Sequence, residues 1–264
     1  MKRLFLLLLI AGLALTRPAC ALDAHGQEAA VDQSAVIVTF LNNLKTDNSI
    51  YMGTRKIEFF AALSKGQTPV ATVVTCSDSR VQANMFDRSP EGELFTVRNI
   101  GNQMATAEGS VEYGVHHLHT PVLLFIGHSR CGAIAAVSGN YSRESNAIRR
   151  ELDTITIAKD LNNIDGVKAN VHNQVTGARL KFAEEIGAGQ LLVIGAVMDF
   201  ADDLHQGAGK LHLININGET DPAKLENVSA LLAKLKPKAA PEAAPKKPAP
   251  DKPAAAPPAA AAHH

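Results

Sequence analysis

The 264-residue sequence is short of net charge, of cysteine and of long apolar runs, and it contains no tryptophan. Its 26 basic residues balance its 26 acidic ones, so bulk electrostatics makes no case for a nucleic acid or an acidic membrane surface as partner. A small molecule is the expected ligand. The one strongly apolar run, FLLLLIAGLAL from Phe5, covers about eleven residues, whereas a membrane-crossing helix needs roughly 20. It follows Lys2 and Arg3 and leads to Ala19-Cys20-Ala21, which is the three-part layout of a secretory signal. Residues 1–21 are therefore expected to be a signal peptide cut after Ala21. The mature chain, with no membrane span, is expected to cross the inner membrane into the periplasm. Three cysteines are present, and this cut removes Cys20 and leaves Cys76 and Cys131. An oxidising compartment invites a disulfide between them, but each stands beside other metal-ligating residue types that a lone bridge does not need.

The remaining length suffices for one sizeable domain with appendages. Residues 22–35 read as a flexible segment. Val36 to Leu44 and Lys56 to Leu63 have the apolar spacing of two amphipathic helices, an N-terminal helical arm. Val70 to Thr75 is a β-branched run that ends at Cys76, and Glu93 to Asn102 reads as a second strand closing on a turn. Thr106 to His119 has helical periodicity despite Gly109 and Gly114. TPVLLFIGH makes a third buried strand ending at His128. The small residues that follow, stopped at Gly139, put Cys131 in the first turn of a helix. Ser145 to Ile186 reads as helical with a break near Asn162–Gly166; Gln190 to Asp199 is a fourth core strand and Lys210 to Glu219 an edge strand. Alternating strands and helices predict an α/β fold, a mainly parallel β-sheet flanked by helices, with the domain spanning 36–235. Residues 236–264, rich in Ala, Pro and Lys, are expected to be a disordered tail.

In such sheets ligands bind beyond the carboxyl ends of the strands, where Cys76 and His128 fall. Zinc takes thiolate and imidazole ligands, and a catalytic zinc keeps three protein ligands and one free position. Cys76, His128 and Cys131 would supply the three. Asp78 is near enough in sequence to complete the tetrahedron or to hydrogen-bond a group on the metal. Arg80, two residues on, is placed to pair with Asp78 and so to act as a gate, with the site open when Arg80 holds the carboxylate and closed when Asp78 swings onto the metal.

CSDSRV from Cys76, VRNIGN from Val97 and GHSRCG from Gly127, in that order and in these strand contexts, strongly resemble the β-class carbonic anhydrases over about Thr39 to Gly218. The resemblance implies one zinc per chain on Cys76, His128 and Cys131, with Asp78 as a conditional fourth ligand and Asp78 and Arg80 as the catalytic dyad. It implies substrate-channel residues at Gln67, Phe95 and Tyr113. It also implies reversible hydration of carbon dioxide to bicarbonate and a proton, by a homodimer or larger homo-oligomer whose helical arm wraps a neighbour. Two alternatives stand beside it: a zinc hydrolase of carbonyl sulfide or carbon disulfide, and a non-catalytic zinc protein closed by Asp78. His116, His117 and His119 have the residue type of a proton shuttle, although surface or core roles fit them better. Arg98 is read as a substrate or interface residue or as half of a buried ion pair. The sequence departs from the family in having Val73 and no tryptophan before the first cysteine, where some members bind regulatory bicarbonate, in the VQANMFD stretch after Arg80, and in Met198 where an aromatic is common. None of these changes touches an expected zinc ligand.

Amino-terminal sequencing of the chain recovered from the periplasm of a bacterial host is expected to begin at Leu22. A cytoplasmic chain that retains Met1 would contradict the export reading.

Overall fold

A computed structural model describes residues 32–227. The expected signal peptide 1–21, residues 22–31 of the expected flexible segment, residues 228–235 at the end of the expected domain and the expected tail 236–264 lie outside the described residues. The chain divides into two units, Met1–Lys65 and Gly66–His264, and the helical arm lies in the first.

In the first unit, α1 spans Gln33–Gly53 and α2 spans Ile57–Leu63. The α1 helix is more than twice the length that its apolar stretch predicts. It starts earlier because Asp32 caps it, its carboxylate accepting from the N–H groups of Ser34 and Ala35 at 3.0 and 3.3 Å. It runs on through polar residues because no glycine or proline intervenes before Gly53, and the hydroxyls of Thr46 and Ser49 bond back to the carbonyls of Asn42 and Lys45. Ile37, Phe40, Leu41 and Leu44 recur at helical spacing and form one apolar seam. None of α1 is buried.

The second unit is built on strands β1 (Ala71–Cys76), β2 (Leu94–Asn99), β3 (Val122–His128), β4 (Leu192–Asp199) and β5 (Lys210–Ile216). They lie in the order β2-β1-β3-β4-β5, with every pairing parallel except that of β4 with β5. The sheet is thus mainly parallel and β5 is an edge strand, as the sequence predicts. Every residue of β1 is buried, which is why it reads as an unbroken β-branched run and not as an alternation.

Helices α3 (Glu108–Glu112), α4 (Gly132–Ser138), α5 (Asn146–Leu152), α6 (Asn163–Lys181), α7 (Ala183–Gly187) and α8 (Pro222–Leu225) connect or flank the strands. The α3 helix passes into a π-helical turn over Tyr113–His117. Gly114 in that turn interrupts the helical pattern for a packing reason: a Cβ there would meet the Thr72 hydroxyl, which is buried against Thr120 at 2.8 Å. The α6 helix lies close on β3 and β4. A Cβ at Gly127 would stand 2.8 Å from both Val167 and Val171, and one at Gly195 would stand 2.7 Å from Val171. This close packing makes α6 the main support behind the carboxyl ends of β3 and β4. The pairing of Thr75 with Ile126 sets the ends of β1 and β3 side by side, and Cys76 and His128 are their last residues.

Candidate metal centre

Cys76 ends β1, His128 ends β3, and Cys131 is the N-cap of α4, one position before the helical turn that the sequence predicts. The three are buried, and their ligating atoms lie within 4.8 Å of one another. This is the one such group among the described residues. Both cysteines are free thiols. The turn that carries Cys131 under His128 needs a left-handed residue, and Arg130 supplies it with φ of 56°. Ser129 anchors this turn to the end of β4: its N–H donates to the Met198 carbonyl at 2.9 Å, and its Oγ accepts from the Phe200 N–H at 2.8 Å.

The imidazole of His128 is fully buried, and its Nδ1 stands 3.1 Å from the Ser129 carbonyl. A carbonyl can only accept, so Nδ1 carries the proton and Nε2 is left with its lone pair. That Nε2 is buried with no hydrogen-bond partner. An orphaned buried nitrogen costs about 1–3 kcal/mol, and a ligand position satisfies it. The two sulfurs interact directly. The Cys131 thiol donates to the sulfur of Cys76, which pushes Cys76 below and Cys131 above the ordinary thiol range, with burial raising both. The backbone N–H groups of Gly101 and Asp78 also act to lower Cys76. Two sulfurs and one imidazole nitrogen suit a borderline-soft divalent ion, and zinc fits that donor set.

Asp78 stands beside this group without joining it. Arg80 grips its carboxylate in a fork, Nε to Oδ1 at 2.9 Å and Nη2 to Oδ2 at 2.7 Å, and the Arg80 backbone N–H donates to Oδ1 at 2.9 Å. These bonds hold the carboxyl well below the usual carboxylate range, so it is ionised and can only accept. Its Oδ2 is 3.8 Å from Nε2 of His128. Arg80 is fixed in turn by the Arg130 carbonyl at 3.2 Å and by the face of Phe200, whose centroid is 5.5 Å from the guanidinium. Phe200 also packs on His128, with ring centroids 6.0 Å apart. Arg98 makes no ion pair among the described residues: it donates to the carbonyls of Cys76 at 3.2 Å and Asp78 at 2.7 Å, and so shapes the loop that presents both side chains.

Three residues implied to line a substrate channel lie apart from this centre. Gln67 is exposed in the loop before β1. Phe95 and Tyr113 do meet, with centroids 5.7 Å apart. However, Cys76 pairs with Asn99, and Phe95 lies four residues back along β2, about 13 Å at a strand's rise. The histidines considered as shuttles are farther off. His116 and His117 lie in the π-helical turn before β3, whose far end, about 20 Å away, carries His128. His116 pairs with Glu185 at 2.9 Å and His117 stacks on Tyr113 at 4.4 Å. Sequence reasoning missed Phe200 and the asparagines of α6, because only the fold brings them to the site.

The carbonic anhydrase family profile matches residues 71–210. Carbonic anhydrase 2 of Mycobacterium tuberculosis is 28% identical over 165 residues, covering 56% of this chain and 79% of the relative. Carbonic anhydrase of Mycolicibacterium smegmatis is 31% identical over 163 residues, covering 55% and 78%. Among solved structures, one of two tetrameric β-carbonic anhydrases from Sordaria macrospora superposes with a TM-score of 0.56 at 25% identity, covering 67% of this chain and 96% of that one. The matched span holds all three converging ligands together with Asp78 and Arg80, and by it the chain belongs to the β-class carbonic anhydrase family.

Proposed function

We propose that this chain catalyses the reversible hydration of carbon dioxide to bicarbonate and a proton, with one zinc ion held by Cys76, His128 and Cys131. The observation that carries this reading is the buried lone pair of His128 facing two buried free thiols while Arg80 keeps Asp78 out of the group. Zinc, when bound, supplies a Lewis acid that makes water a usable nucleophile at neutral pH.

The chain's own residues do the rest. Asp78 accepts and cannot donate, so it favours a partner that presents a proton and rejects one that lacks it. Arg80, with two carboxylate contacts, fixes the direction in which Asp78 accepts. The Asp78–Arg80 pair serves as the catalytic dyad and, when Arg80 releases the carboxylate, as the gate. His128 holds its position through the Ser129 carbonyl, which fixes the tautomer that a ligand needs.

We assign Gln67, Phe95 and Tyr113 to the substrate path of a neighbouring copy. The distance along β2 keeps Phe95 from its own centre, whereas β2 is a sheet edge and Tyr113 is 44% exposed, which leaves the pair free for a partner. The apolar seam of α1, with Phe40 63% exposed, supports the same assembly, a homodimer or larger. The solved relative from Sordaria macrospora is described as tetrameric. Export to the periplasm rests on the sequence of residues 1–21.

Stopped-flow hydration of carbon dioxide over a pH series, on zinc-quantified protein, tests the activity. The parent is expected to be active, chelation to abolish activity, and Asp78→Asn to lower kcat/KM by about 10²-fold or more while zinc is retained. A parent that holds one zinc per chain and is silent at every pH contradicts the proposal. Sedimentation tests the assembly: the parent is expected as a dimer or larger, and Phe40→Glu with Leu44→Glu is expected to shift it toward monomer with loss of most activity. A fully active monomeric parent contradicts it.

A further inference from the structure

Behind the metal centre, one face of α6 carries three amide side chains, Asn163, Asn170 and Gln174, spaced seven and four residues apart. Each is committed to a loop that carries or contacts a cysteine ligand. Asn163 clasps the main chain of Cys131 in both directions: its Oδ1 accepts from the Cys131 N–H at 3.1 Å, and its Nδ2 donates to the Cys131 carbonyl at 3.1 Å. Asn170, almost wholly buried, donates to the Gly101 carbonyl at 3.0 Å. Its Oδ1 accepts from Nε2 of the fully buried Gln103 at 2.8 Å, and the same Nε2 donates to the Gly101 carbonyl at 2.6 Å. Gln174 completes the set, donating to Oε1 of Gln103 and accepting from the Met104 N–H, each at 2.8 Å.

The turn so pinned is the one after β2, closed on itself by Asn99, whose side chain accepts from the Gln103 N–H at 2.7 Å and donates to the Gln103 carbonyl at 2.6 Å. Gly101 within it has φ of +77°, and a Cβ there would lie 2.7 Å from Ile155. The consequence for the centre is direct, because Asn99, which closes the turn, pairs with Cys76 across the sheet and its carbonyl accepts from the Ser77 N–H at 2.8 Å. One rigid helix thus holds Cys131 through Asn163 and the turn beside Cys76 through Asn170, about two helical turns apart.

We propose that α6 sets the separation and orientation of the two cysteine ligands, with Asn163 and Asn170 as positioning residues: Asn163 fixes the Cys131 main chain, and Asn170 fixes the turn after β2, whose Asn99 holds the main chain at Cys76 and Ser77. The inference rests on the metal reading above. Groups that orient ligands from behind typically change metal affinity by about 10–100-fold when removed.

The test is cobalt binding by the full chain, read as affinity in competition with a chromophoric chelator and as the thiolate-to-cobalt charge-transfer band. Asn170→Ala and Asn163→Ala are each expected to weaken cobalt by about 10-fold or more and to shift or weaken the band. Val175→Ala, from the same helix but in the core packed under β3 and β4, is expected to lower thermal stability while leaving affinity and band at parent values. Should Asn170→Ala fail to fold, Asn163→Ala, at the partly exposed first residue of α6, carries the test alone. Asparagine variants with parent affinity and band overturn the proposal, as does a Val175→Ala variant that weakens cobalt equally. A parent that takes up no cobalt overturns the metal reading and this proposal with it.

Discussion

Two buried thiols and one buried imidazole nitrogen are held within 4.8 Å of one another, and the surrounding structure is arranged to keep them there. Left to themselves these groups are poorly placed. The Nε2 of His128 has no partner, and the two buried sulfurs share a proton. A cation relieves all three at once. The geometry follows from the parallel pairing of β1 and β3, which sets Cys76 and His128 at adjacent strand ends, and from the tight Ser129–Arg130 turn that brings Cys131 under them. A second layer of contacts makes the arrangement selective. Arg98 ties down the carbonyls of Cys76 and Asp78, and Arg80 draws the Asp78 carboxylate aside. The same loop therefore presents a ligand and withholds a competitor.

Much of this was legible in the sequence because it depends on local pattern. Val70 to Thr75 and Thr120 to His128 read as buried strands because both faces of a parallel sheet are covered, and the ligating residues come where those runs stop. Cys131 was legible because small residues and Gly139 bound a short helix after it. What was not legible depends on partners far apart in the chain. Asn170 meets Gly101 across 69 residues and Asn163 meets Cys131 across 32, and an asparagine inside a helical stretch carries no mark of such a bond. Arg98 suggested an ion pair by residue type, yet its partners are main-chain carbonyls, which the sequence cannot single out. The length of α1 was underestimated because its cap and its glycine stop lie outside its apolar residues.

The separation between Phe95 and the centre bears on assembly. Phe95, four positions back along an edge strand from the residue paired with Cys76, is out of reach of its own centre, and an aromatic pair at an exposed edge gains by being covered. In the proposed assembly a second copy answers both points, and the exposed apolar residues of α1 offer it a surface. In this account the zinc ligands and the dyad come from one chain, while the apolar wall that admits carbon dioxide is completed by another.

The central claim is that Cys76, His128 and Cys131 hold zinc and leave a position free for the reaction. The zinc K-edge absorption spectrum of the zinc-loaded protein tests it most directly. The account predicts two sulfur neighbours at about 2.3 Å and two lighter neighbours near 2.0–2.1 Å, the second of them outside the three-residue set. A first shell without sulfur, or with sulfur alone, would contradict it.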